Sequence, residues 1–131
     1  ITKTESNLRR KRIPITNGKI ISDQNFGFWV SLFLSHHYSI LSGQIIHIFP
    51  YKPATETRAS IYSKLDKMRD FRNSVNHCEP ICFNGNSIDC TESLAILNTI
   101  YDLLKWIDPD LEKFFEGLEN VRNKINQINT I

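Results

Sequence analysis

Arg72, Asn73 and His77 fall within one short run, Arg72-Asn73-Ser74-Val75-Asn76-His77, and their types suit the cleavage of RNA. RNA carries its own nucleophile, the 2′-hydroxyl beside each phosphodiester. Cleavage requires that hydroxyl to lose its proton, the charge building on phosphorus to be stabilised, and the departing 5′-oxygen to gain a proton. Histidine can serve either proton step, because the unperturbed imidazole titrates near neutrality. Arginine keeps its proton and offers a planar fork of donors to phosphoryl oxygens. Asn73 precedes His77 by four positions, the helical spacing at which it can orient the ring or hold a phosphate oxygen. Such a set works without a metal or cofactor. The spacing alone arises easily by accident. The plainer alternative pairs Arg72 with Asp70 or Glu79 and leaves His77 as a helix cap.

These residues need a helix to hold them. Ile61, Leu65, Met68, Phe71 and Val75 advance by three or four, the helical period, which predicts a helix from Thr55 or Thr57. Pro80 is expected to end it, since the residue before a proline is pushed from helical geometry. Upstream, Phe26 to Phe49 is apolar-rich and uncharged, which predicts a buried helix bent near Gly43, followed by a linker at Pro50-Tyr51-Lys52-Pro53. Residues 81–88 read as a turn around Asn84-Gly85-Asn86. Asp89 and Glu92 suggest a capping box, ahead of an apolar stripe at Leu94, Leu97, Ile100, Leu104 and Ile107. Asp108-Pro109 predicts a new helix start, with a last stripe at Leu111, Phe114, Phe115, Leu118, Val121, Ile125 and Ile128. The expected fold is all-α, an antiparallel bundle of about four main helices without a convincing strand.

With 131 residues, 40% of them hydrophobic, the chain suits one packed domain. A helical domain over 26–131 would follow an irregular segment over 1–25, which holds Pro14 and Asn17-Gly18. The net charge of +2 excludes a general polyelectrolyte binder, yet Lys3, Arg9, Arg10, Lys11, Arg12 and Lys19 crowd the first twenty residues against Glu5 alone. Arg9, Arg10, Lys11 and Arg12 are therefore candidates for RNA phosphate contact, as is Arg69 one turn before Arg72, with Lys64 and Arg58 further upstream; a solvated face is the bland alternative. Three Cys without a framework of spacings favour a reducing cytoplasm. His77, Cys78, Cys82 and Cys90 lack the paired spacings of a zinc site, so no metal is expected. His36-His37 reads as a core or interface pair, and Phe28, Trp29 and Phe33 as packing aromatics. No apolar stretch is long enough to span a bilayer. Ile1 stands where an initiator Met would, which makes a fragment the expectation.

The run from Phe71 through His77 to Cys78-Glu79-Pro80-Ile81 resembles the Arg-Asn-x-x-x-His-His-Glu-Pro-Ile signature of Abi-like proteins in the HEPN superfamily. Phe26-Gly27-Phe28-Trp29-Val30 is similar to that family's Phe-Gly-Phe-Trp-Val helix, and Trp106-Ile107-Asp108-Pro109 to its later Trp-Ile-x-Pro segment. The likeness runs in matching order from about Arg9 to Asp110, departing at Asn76, where Ala is common, and at Cys78, where a second His is common. The resemblance implies a HEPN-like helical domain with more helical protein upstream. It also implies a homodimer with Arg72 and His77 of both chains at the interface, and metal-independent cleavage of RNA by 2′-hydroxyl attack. Service as a toxin or in phage defence follows, in a prokaryotic cytoplasm with an antitoxin protein as a further partner. The second expectation is a non-catalytic HEPN module that dimerises and binds RNA, nucleotide or a partner protein.

Overall fold

The computed structural model describes residues 2–128, and these are predominantly helical. The order is α1 (Thr2–Arg10), α2 (Asn17–Ser22), α3 (Phe26–Ser31), α4 (Ser35–Ile40), a 3-10 helix (Gln44–Ile48), α5 (Arg58–Asn76), β1 (Phe83–Asn84), β2 (Ser87–Ile88), α6 (Thr91–Ile107), α7 (Pro109–Glu116) and α8 (Val121–Ile128). The all-α expectation holds, apart from one short hairpin. Among the described residues no helix is long and apolar enough to cross a membrane.

The two long helices form where sequence and caps agree. Thr57 opens α5 with a reciprocal cap. Its Oγ1 accepts from the Ser60 N–H at 3.2 Å, and its own N–H donates to Ser60 Oγ at 2.8 Å. Asp108 Oδ1 accepts from the Asp110 N–H at 2.9 Å and starts α7, with Pro109 as the first helical residue. The capping box expected at Asp89 is not complete: its Oδ1 accepts from the Thr91 N–H at 2.9 Å, one residue ahead of the N-cap, Cys90. Hydrogen bonds from the Thr91 side chain and N–H, and from Asn84, hold that carboxyl below its ordinary value.

The core lies where α3, α5 and α6 meet. Val30, Phe33, Phe49, Ile61, Leu65, Leu103 and Trp106 form one buried cluster, in which the Phe49 and Trp106 rings meet edge-on with centroids 6.3 Å apart. Ile61 is fully buried, so Ile61→Ala would cost about 2–5 kcal/mol. Polar ties fix the start of α5 to this core. Arg58 donates to the Phe33 carbonyl at 2.6 Å, Lys64 bridges Glu56 at 2.8 Å, and the Lys64 ammonium lies 5.4 Å from the Trp106 ring centroid.

Four expectations need correction. The segment over 2–25 is not irregular throughout, since it holds α1 and α2, Thr4 and Leu8 bury one face of α1, and Gln24 Nε2 donates to Thr4 Oγ1 at 3.1 Å. Phe26 to Phe49 is not one bent helix. Leu34 is extended, Ser42 and Gly43 take positive φ, and the hydroxyls of Ser31 and Ser39 donate to backbone carbonyls at 2.7 and 2.9 Å. The expected turn around Asn84-Gly85-Asn86, by contrast, is present, as the two-residue loop of a short hairpin in which Phe83 faces Ile88 and Gly85 takes φ +61. The buried face of α6 is Ser93, Ile96, Leu97, Tyr101, Leu103 and Trp106; of the expected stripe Leu97 is buried, Leu94, Ile100 and Leu104 are half-buried, and Ile107 is exposed. The helix packs on both α5 and α7, so two faces are covered instead of one. The last stripe is likewise split between α7 and α8, leaving Phe114 and Leu118 exposed.

Candidate active site

Helix α5 carries the site, and its burial fades towards it. Ile61 and Leu65 are buried, Met68 and Phe71 are half-buried, and Val75 is 46% exposed. The helix therefore leaves the core before it reaches His77. Arg72, Asn73 and His77 are all exposed on the last turns of α5 and at its cap. Five residues of helix amount to about 140° of rotation and about 7.5 Å of rise, so Arg72 and His77 flank rather than stack on one another.

The helix ends four residues before Pro80, and not because of it. His77 is the C-cap at φ −90°, and its N–H donates to the Asn73 carbonyl at 2.9 Å. Cys78 takes φ +55, its N–H donating to Val75 at 3.1 Å, and the Glu79 N–H donates to Ser74 at 2.9 Å. This pair of backward bonds is a Schellman closure. It fixes the backbone on both sides of His77 while leaving the imidazole in solvent. A side chain at left-handed φ, where glycine is usual, costs about 1–2 kcal/mol.

Arg72 makes no hydrogen bond or ion pair within the described residues, and neither does the side chain of Asn73 or His77. Of the plainer alternative one half is absent, since neither Asp70 nor Glu79 holds Arg72, and the other half holds, since His77 is the C-cap of α5. Asp70 instead pairs with Arg69 at 2.9 Å, and Asp66 pairs with Arg69 at 2.8 Å. The Asp70 hydrogen bond and the Asp66 charge raise the Arg69 guanidinium further above its ordinary value. Arg69 is thus a neutralised neighbour, less suited to phosphate than its sequence position suggests. Lys64 and Arg58 are likewise engaged, by Glu56 and by the Phe33 carbonyl.

Arg72 also lines an apolar cavity of about 390 Å³ with Phe26, Met68, Phe71, Ile96 and Ile100. The sequence pointed to Phe71 and Met68 as core residues; that they edge a cavity beside the motif was not legible, because it depends on how α3 and α6 flank α5.

The basic group lies on a different element. Arg9 and Arg10 end α1, Lys11 follows, and Arg12 takes φ +56 in the helix closure. All four are exposed, and no ion pair engages them among the described residues. No hydrogen bond or ion pair joins them to Arg72, Asn73 or His77. His36 is exposed, and His37 Nδ1 lies 2.8 Å from the Ser31 carbonyl, a structural contact inside the α3–α4 turn. Among the described residues no three His, Cys, Asp or Glu side chains gather in a way that could hold a metal ion.

No protein-family model, no curated protein and no solved structure matches this chain. The geometry of α5 and the motif it carries are therefore what bears on function.

Proposed function

We propose that the chain is a metal-independent endoribonuclease of the Abi-like HEPN type that works as a homodimer on RNA, in phage defence or as a toxin. The observation that carries this reading is the contrast along α5. Arg58, Lys64 and Arg69 are each engaged by an internal partner, whereas Arg72, Asn73 and His77 are exposed and unengaged among the described residues. Lys67, one turn and more before them, is exposed and unengaged among the described residues too; of these two free cations Arg72 is the nearer to His77 along the helix. A free guanidinium beside a free imidazole on a fixed helix end is what phosphodiester binding and proton transfer require.

One Arg and one His are too few for the reaction, which needs a base, an acid and a cation. Two-fold pairing of α5 would supply two of each. Supporting that pairing, the apolar line of α5 runs on through half-buried Phe71 to exposed Val75, beside the cavity that Arg72 edges. Exposed apolar surface next to a charged motif is suited to an interface. One His77 would then take the 2′-hydroxyl proton, the other would protonate the 5′-oxygen, and Arg72 would neutralise the phosphoryl oxygens while Asn73 positions a ring or an oxygen. A prokaryotic cytoplasm and an antitoxin protein partner belong to the same reading and rest on the resemblance alone.

Cleavage of RNA by the purified chain and by His77→Ala tests this. The substitution removes a proton-transfer group from an exposed helix cap, so the fold stays intact and the rate falls by roughly 10²–10⁴. Equal cleavage by both proteins would end the enzymatic reading and leave a non-catalytic helical module.

A further inference from the structure

All three cysteines lie between Cys78 and Cys90, and all three are free thiols. Two of them bracket the hairpin. The pairing of Phe83 with Ile88 and of Asn84 with Ser87 is extended by the Asp89 N–H, which donates to the Cys82 carbonyl at 2.9 Å. Cys82 therefore stands at the base of one strand, and Cys90 follows the base of the other and opens α6. The Cys82 Sγ lies 3.8 Å from Ser93 Oγ in the first turn of α6, and Ser93 Oγ donates to the Ile81 carbonyl at 2.8 Å. Ser93 lies three residues along the chain from Cys90, so both thiols sit at the junction of the hairpin base with the start of α6. Cys78 is exposed and closes α5 instead.

We propose that Cys82 and Cys90 are a redox modification site, a dithiol that closes to an intramolecular disulfide across the base of the hairpin by exchange with a low-molecular-weight disulfide. The pair differs in access in the way such exchange uses. Cys82 is partly exposed, whereas Cys90 is 4% exposed. An external disulfide can reach Cys82, whereas Cys90 is shielded from it by burial. Contact with Cys82, and then burial, push the Cys90 thiol above its ordinary value, which keeps it protonated while Cys82 reacts first.

The steps balance. The Cys82 thiolate attacks one sulfur of the external disulfide, the S–S bond breaks, and one external thiolate leaves and takes up a proton. Cys90 then loses its proton and attacks the Cys82 sulfur of the mixed disulfide, expelling the second external thiolate. Two protein thiols are oxidised to one disulfide, and one external disulfide is reduced to two thiols. The Asp89 N–H bond to the Cys82 carbonyl already brings the two ends of the hairpin together, one residue short of Cys90, so most of the ring a disulfide would close is preformed. The proposal does not depend on the ribonuclease reading.

The test uses the reduced chain and its Cys78→Ser variant, each confirmed as helical by far-UV circular dichroism. Both are incubated with oxidised glutathione, quenched with iodoacetamide and weighed intact. The expected Cys78→Ser product is lighter by two hydrogens and carries no alkyl group. Cleavage before Asp89 leaves its two cysteine-bearing fragments joined until a reductant is added. Cys90→Ser should stop at a glutathione adduct on Cys82, and Cys82→Ser should leave Cys90 unmodified. Alkylation of both remaining thiols in oxidised Cys78→Ser, or a stable glutathione adduct as its end point, would overturn the proposal.

Discussion

Arg69 and Arg72 lie one turn apart on α5, yet Asp66 and Asp70 hold Arg69 at 2.8 and 2.9 Å while neither carboxylate engages Arg72. Two cations that look alike in the sequence therefore differ in the structure: one is paired within the helix surface, and the donor fork of the other is unengaged among the described residues. Arg72→Lys keeps the charge and loses the fork, so RNA cleavage should fall sharply. Arg69→Lys keeps a pair with either carboxylate and should cleave at close to the wild-type rate. Initial rates on one RNA substrate decide it, and equal losses in the two variants would remove the distinction.

The basic end of α1 should contribute to RNA affinity by neutralising phosphates. Deleting the segment would be a poor test, because Thr4 and Leu8 are buried. Replacing Arg9, Arg10, Lys11 and Arg12 with Gln removes the charge and spares that packing. Each phosphate of a single strand that is no longer neutralised should lessen the slope of log K against log salt by about 0.7. A salt series with an unchanged slope would return these side chains to solvent.

Cys78 carries a side chain at φ +55 in the closure of α5. Cys78→Gly relieves roughly 1–2 kcal/mol of backbone strain and gives back about 0.5–1 kcal/mol of unfolded-chain entropy. The net expectation is a gain of about 0–1.5 kcal/mol, read as a higher urea midpoint at unchanged slope. Cys78→Val, branched at Cβ, should lower the midpoint. A lower midpoint for the glycine variant would show that the Cys78 side chain stabilises more than its backbone costs.

What the sequence made legible was local. Thr57 and Asp108-Pro109 announced their helices because a cap is a contact between near neighbours. The line Ile61, Leu65, Met68, Phe71, Val75 placed α5 on the core, though only the structure revealed that its burial is gone by Val75. The end of α5 was placed too late, at Pro80, because a Schellman closure built on Cys78 lacks the glycine that usually signals it. Helix α1 was missed because its buried face is little more than Thr4 and Leu8 amid charged residues. Within the site, Arg72, Asn73 and His77 could be picked out by type and spacing. The freedom of Arg72 from an internal partner could not, since it depends on Asp66 and Asp70 turning to Arg69.

The central claim is that His77 and Arg72 cleave RNA through its own 2′-hydroxyl, and the chemistry of the ends tests it most directly. RNA incubated with the purified chain in EDTA should yield fragments ending in a 2′,3′-cyclic phosphate, each facing a free 5′-hydroxyl, by mass spectrometry. DNA of the same sequence and RNA with 2′-O-methyl groups should remain intact. A 5′-phosphate end would mean that water attacked phosphorus in place of the 2′-oxygen, and that result, cleavage of the DNA, or RNA left whole would contradict the mechanism.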